Sequence, residues 1–135
     1  MDDLDTAILR ILKDNARESF VAMAQVLGTS EGTIRARVKR LQDEGIIRRF
    51  TIQTAGQNVK ALIEVRIETN VNTATLSSQI ATWEGVERVW EVTGEQDLLV
   101  MVDVPSTAAL NDIIERIRQF KETQATRSRL ILKEY

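Results

Sequence analysis

Arg35, Arg37, Lys39 and Arg40 fall within a span of six residues, directly after Ser30, Glu31, Gly32, Thr33 and around Ala36. Guanidinium groups can fork onto phosphate or guanine oxygens, and a threonine hydroxyl can meet a base edge or a phosphate. Glycine and alanine let a helix sink into a major groove. Ile34, Val38 and Leu41 recur at i, i+4 and i+7 and so form one buried stripe. At about 100 degrees per residue, Gly32, Thr33, Ala36, Lys39 and Arg40 lie roughly opposite that stripe, with Arg35 and Arg37 on its flanks. The pattern points to double-stranded DNA. A solvated basic helix in an ordinary three-helix domain is the plainer alternative.

Such a face needs elements to hold it. Ser19 can cap a helix that runs through Met23, Ala24 and Leu27 and stops at Gly28, and Ser30 can cap the next, over residues 31–44, which Gly45 ends. The pair reads as a helix-turn-helix. Leu4, Ile8, Ile11 and Leu12 make a preceding amphipathic helix, with Asp2 as cap and Asp5 at the positive end of its dipole. Ile46–Gln53 is rich in β-branched residues and reads as a wing or a dimerising strand, with Arg48 and Arg49 able to reach a backbone phosphate. This gives a DNA-binding domain over residues 1–53 and a linker over 54–60, of which Thr54 to Asn58 is the linker-like stretch.

Residues 61–135 change character. Strands are expected at Ala61–Glu68, Val86–Thr93, Asp97–Val104 and Thr126–Leu132, and helices at Thr73–Trp83 and from Pro105 and Ser106 through Ile117. The order βαββαβ predicts an α+β chain: a winged helix-turn-helix, then a ferredoxin-like antiparallel sheet with both helices on one face. The other face of so apolar a sheet calls for a partner, and subunit association is the simplest one. Trp83 and Trp90 read as packing anchors, although Trp90 and Glu91 are close enough to the following loop to touch a ligand.

Composition narrows the chemistry. With no cysteine and no histidine among 135 residues, thiolate nucleophiles, disulfides and the commonest general base and metal ligands are absent. An enzyme, a metal centre and a resident cofactor are not expected. No apolar run is long enough for a membrane span, and the acidic N-terminus is unlike a signal peptide, so a cytoplasmic protein is expected. The net charge of −2 divides into +2 for residues 1–60 and −4 for the rest, so DNA binding would rest on the local cluster rather than bulk charge.

Ser30, Thr33, Ile34, Arg37, Val38, Arg40, Leu41, Gly45, Ile46 and Ile47 together resemble the recognition-helix signature of the prokaryotic Lrp/AsnC, or feast/famine, transcription regulators. Asp2, Asp5, Ile8, Leu9 and Leu12 are similar to that family's opening helix, and Gly94, Glu95, Gln96 and Asp97 to its effector-loop motif. The resemblance implies a sequence-specific regulator whose homodimers assemble into larger rings such as an octamer, with a small molecule, usually an amino acid, bound between dimers. It implies effector contacts from Gly94, Glu95, Gln96 and Asp97, and from Thr126 and Ser128 on the last strand. A glycine turn can hold a carboxylate and an acid an ammonium. The residues alone leave Gly94–Asp97 open as a plain hairpin connection, and Thr126 and Ser128 as surface hydroxyls. Glu68, Glu91, Glu95 and Asp97 suggest lysine or arginine as the effector. A weakly specific chromatin-like organiser and an amino-acid sensor acting through protein partners are the competing readings.

Overall fold

Two aspartates begin the first element. In helix α1 (Asp3–Asp14) the Asp5 amide donates to Asp2 Oδ1 at 2.9 Å and the Asp2 amide to Asp5 Oδ2 at 3.0 Å, a reciprocal capping box. Ile8 and Leu12 of α1 meet Met23 and Ala24 of α2 (Phe20–Leu27) and Ile34, Val38 and Leu41 of α3 (Glu31–Asp43) in one buried cluster. Ser19 caps α2 by accepting from the Ala22 amide at 3.0 Å. Gly28 ends that helix at φ 65°, a left-handed conformation that strains any residue carrying a Cβ. The expected helix-turn-helix is formed.

The computed structural model describes residues 1–56 and 58–135, which fall into two units, Met1–Thr54 and Ala55–Tyr135. Residues 46–53 contain no strand and pair with none among the described residues, so no wing is built within the single chain. Ile47 instead folds back, donating its amide to Leu41 O at 2.9 Å and packing on the helical core, while Phe50 and Ile52 are exposed. Of the expected linker, Gln57 lies outside the described residues, and Val59 and Lys60 already belong to the first strand.

That strand, β1 (Val59–Ile67), pairs antiparallel with β3 (Leu98–Val104) on one side and β4 (Thr123–Leu130) on the other, and β2 (Val86–Glu91) pairs with β3. The sheet order is β2-β3-β1-β4. Alternate residues Ala61, Ile63, Val65 and Ile67 of β1 and Leu98, Val100, Val102 and Val104 of β3 share a core with Leu76 and Ile80 of α4 (Thr73–Ile80) and Leu110, Ile113, Ile114 and Ile117 of α5 (Thr107–Arg118). Both helices thus cover one sheet face, as βαββαβ predicts. Helix α4 stops before Trp83, where Thr82 Oγ1 donates back to Gln79 O at 2.7 Å and the chain turns. Strand β4 starts earlier than its apolar residues suggest, because Thr123 pairs with Ile67 of β1.

On the opposite face Leu62 lies across from Met101 and Glu64 from Leu99. Two carboxylate oxygens, Glu64 Oε2 and Asp103 Oδ1, are buried there without a hydrogen-bond donor among the described residues.

Candidate nucleic-acid interface and effector loop

Ser30 fixes the start of α3: the Thr33 amide donates to its Oγ at 3.1 Å, and the two hydroxyl oxygens lie 2.9 Å apart. The apolar stripe turns inward as predicted, so Glu31, Gly32, Arg35, Ala36 and Lys39 are exposed. A Cβ built on Gly32 would meet nothing closer than Ser30 Oγ at 4.0 Å, so this face is open to an incoming surface.

The cations of α3 are all paired within the protein. Arg35 bridges to Glu31 and lies 5.1 Å from the Phe20 ring centroid, and Lys39 Nζ sits 2.7 Å from Asp43 Oδ2. Both keep most of their side chain in solvent, at 64% and 73% exposure. Such exposed i, i+4 pairs are weak and exchange readily for a phosphate.

Arg37 and Arg40 have partners on α1 as well. Arg37 Nη1 bonds to Asp2 Oδ2 and lies 3.1 Å from Asp5 Oδ1, while Arg40 Nη2 lies 2.5 Å from Asp5 Oδ2 and its Nε 3.7 Å from Glu44 Oε1. Arg37 is therefore drawn toward α1, with 27% of its side chain exposed, and Asp5 is enclosed, with 1% exposed. The α1 capping box places two carboxylates against the flank of α3, and both guanidiniums reach for them, although Arg40 keeps 44% of its side chain exposed. Asp2 has its pKa lowered to about 2, first by the Asp5 amide and then by Arg37. The Asp2 amide, followed by Arg37 and Arg40, pulls Asp5 down against the opposing effect of burial, and the Asp2 and Asp5 carboxylates raise Arg37. Arg48 and Arg49 are exposed and have no ion pair among the described residues.

Loop 92–97 is held from both ends. Val92 donates to Asp97 O at 3.0 Å, and Asp97 donates to Val65 O at 2.9 Å while its Oδ2 accepts from the Ile67 amide at 2.7 Å. Arg66 Nε donates to Glu95 O at 3.2 Å. A shallow cavity of about 170 Å³ opens beside this loop, lined by Arg66, Glu95, Gln96, Ala125, Thr126 and Arg127. Glu95, Gln96 and Thr126 of the expected effector set are brought together there; Gly94, Asp97 and Ser128 are not among its walls. Thr126 Oγ1 accepts from Arg118 Nε at 3.0 Å, and Ser128 stands opposite Ile63. Of the acids that suggested a basic effector, only Glu95 lines the cavity. Asp97 is occupied by a backbone amide, and Glu91 faces Ser77 of α4 at 3.5 Å. Arg66 and Arg127 are walls that the sequence did not disclose, because strand register alone brings β1 and β4 together at this point.

Trp83 is a packing anchor as expected, stacked on Phe120 at 5.8 Å with the Arg116 guanidinium 3.9 Å from its ring. Among the described residues no group of three or more acidic side chains is placed to hold a metal ion, and no helix is long and apolar enough to cross a membrane.

Residues 1–42 match the AsnC-type helix-turn-helix domain and residues 60–135 the Lrp/AsnC ligand binding domain. The chain is 38% identical to the HTH-type transcriptional regulator LysM of Saccharolobus solfataricus, over 98% of this chain and 94% of that one. The fold is similar to the Mycobacterium tuberculosis leucine response regulatory protein LrpA, with a TM-score of 0.85, 26% identity and coverage of 100% and 94% of the two chains. It is also similar to a Neisseria meningitidis transcriptional regulator solved as an L-Met complex, with a TM-score of 0.79, 24% identity and coverage of 99% and 91%. With a capped helix-turn-helix, a βαββαβ unit and matches to both halves of one domain pairing, the chain belongs to the Lrp/AsnC family of transcriptional regulators.

Proposed function

We propose that this regulator reads double-stranded DNA with the outward side of α3, using Ser30, Glu31, Gly32, Thr33, Arg35, Ala36 and Lys39 in the major groove and Arg48 and Arg49 on phosphates. The observation that carries the reading is the exposure of Gly32, Ala36, Arg35 and Lys39 on one side of a helix whose other side is buried. Small residues permit close approach of the backbone, and the flanking cations then reach base edges and phosphates. The expected division, a DNA-binding domain over 1–53, a linker over 54–60 and an effector domain over 61–135, shifts at its second boundary, because β1 begins at Val59. None of this requires catalysis, and a DNA-binding regulator acts in the cytoplasm of a prokaryotic cell.

The effector is an amino acid, held beside loop 92–97 by Glu95, Gln96, Thr126, Arg66 and Arg127, with Gly94, Asp97 and Ser128 shaping the loop and strand behind it. A guanidinium suits an α-carboxylate, and Glu95 suits an ammonium. The L-Met complex of the Neisseria relative supports this class of ligand. The sheet face that α4 and α5 leave uncovered supports homodimers, which would build higher oligomers such as an octamer: it carries half-buried Leu62, Leu99 and Met101 and two buried carboxylate oxygens in want of donors among the described residues.

Binding of duplexes selected from a random pool, titrated with salt, tests the DNA reading. A regulator gives steep salt dependence together with a strong preference for one sequence; an organiser gives only the first, and a protein-partner sensor neither. A thermal-shift screen of the amino acids tests the effector, since a ligand at a hundred times its dissociation constant adds roughly 2.7 kcal/mol.

A further inference from the structure

We propose that Asp2 and Asp5 determine the sequence specificity of DNA binding by holding Arg37 and Arg40 back from the phosphates. The proposal rests on the reading of α3 as the groove element. Among the described residues Asp5 is the buried charged side chain, and both of its oxygens are engaged: Oδ1 by Arg37 at 3.1 Å, Oδ2 by Arg40 at 2.5 Å and by the Asp2 amide at 3.0 Å. Asp2 takes a second bond from Arg37. Asp2 and Asp5 thus pair with Arg37 and Arg40 across α1 and α3, 32 to 35 residues apart in sequence, and Glu44 lies 3.7 Å from Arg40 as well.

Phosphate contacts raise affinity for every sequence alike, whereas base-edge contacts discriminate. Each further cation on α3 that reaches a phosphate adds affinity for any duplex. With Arg37 and Arg40 engaged by carboxylates, the outward side of α3 is left to exposed Glu31, Gly32 and Ala36 and half-buried Thr33, with Arg35 and Lys39, whose own partners are solvent-exposed and easily exchanged. Asp2, at 53% side-chain exposure, also presents negative charge beside Arg37 that repels a phosphate.

Asp2→Asn is the informative variant. Asparagine caps a helix about as well as aspartate, so the start of α1 is kept while one charge is removed. Affinity for a selected duplex and for a scrambled one is measured by fluorescence anisotropy across a salt series. In Asp2→Asn the slope on scrambled DNA steepens by about one unit, non-specific affinity rises about five- to tenfold near 0.1 M salt, and the ratio of specific to non-specific affinity falls. Adding Arg37→Ala to Asp2→Asn returns the slope to that of the parent. Asp5→Asn, where it folds, acts in the same direction and further.

A purely structural brace gives a different result: both affinities fall in parallel, or neither slope nor ratio moves, and either outcome overturns the proposal. Lys39→Ala separates the underlying assignment, because unchanged affinity for the selected duplex in that variant removes α3 from the groove and the proposal with it.

Discussion

Ile67 donates its backbone amide to Asp97 Oδ2 at 2.7 Å, across the junction of β1 and loop 92–97. With the Asp97 amide bonded to Val65 O at 2.9 Å, the residue staples the loop to the sheet. Asp97→Ala leaves the Ile67 amide without its acceptor and is expected to cost about 1–3 kcal/mol. Asp97→Asn keeps an acceptor oxygen and costs less. Chemical denaturation of both variants checks this; equal stability of Asp97→Ala and the parent would contradict the staple.

Arg66 and Arg127 wall the cavity beside that loop without contributing to either core. Arg127→Ala is expected to leave the unfolding midpoint of the free protein unchanged and to reduce the thermal shift given by the best amino acid in the screen at least severalfold, as loss of a charge-assisted bond does. A full shift in Arg127→Ala would place the ligand elsewhere.

Gly85 sits at φ 85°, and a Cβ there would lie 2.7 Å from Val104 Cγ1 and 3.4 Å from Ile113 Cδ1. Gly28 has φ 65° but open space around it. Gly85→Ala therefore adds overpacking, about 1–3 kcal/mol, to the backbone strain of about 1–2 kcal/mol that Gly28→Ala also incurs. Because the two glycines belong to different units, urea unfolding followed with a probe in each unit should show the larger loss at Gly85.

Caps and stripes were legible in the sequence because they are local. Ser19, Ser30, Ser106 and Asp2 each accept a hydrogen bond within their own first turn, and Ile34, Val38 and Leu41 bury one face whatever the rest of the chain does. The orientation of Arg37 and Arg40 was not legible, since a helical wheel of α3 carries no information about carboxylates on α1. Strand register hid Arg66 and Arg127 in the same way: only the pairing of Arg66 with Ala125 and Glu64 with Arg127 brings them beside Glu95. The β-branched run at 46–53 has strand propensity but pairs with no strand of its own chain among the described residues, and propensity alone forms no sheet.

Acid should weaken the helical unit. Asp2, at about 2, and Asp5 are both held below the ordinary aspartate value of 3.8 in the folded protein. The Asp2 pairing therefore stabilises fully above about pH 4 and is lost as pH falls through that residue's folded value near 2, and the lowered Asp5 acts in the same direction. The thermal midpoint of this unit should drop over that interval, and Asp2→Asn should flatten the drop. An identical profile in Asp2→Asn would contradict the assignment of the effect to the capping box.

The most direct test places a DNA-cleaving iron chelate on Ala36→Cys, with Asp112→Cys on α5 as the control position. If the outward side of α3 lies in the groove, cleavage of the selected duplex from position 36 clusters about the major groove at two places roughly 10 base pairs apart, or a multiple of that, and the control gives no such clusters. Equal, unclustered cleavage from both positions would contradict it.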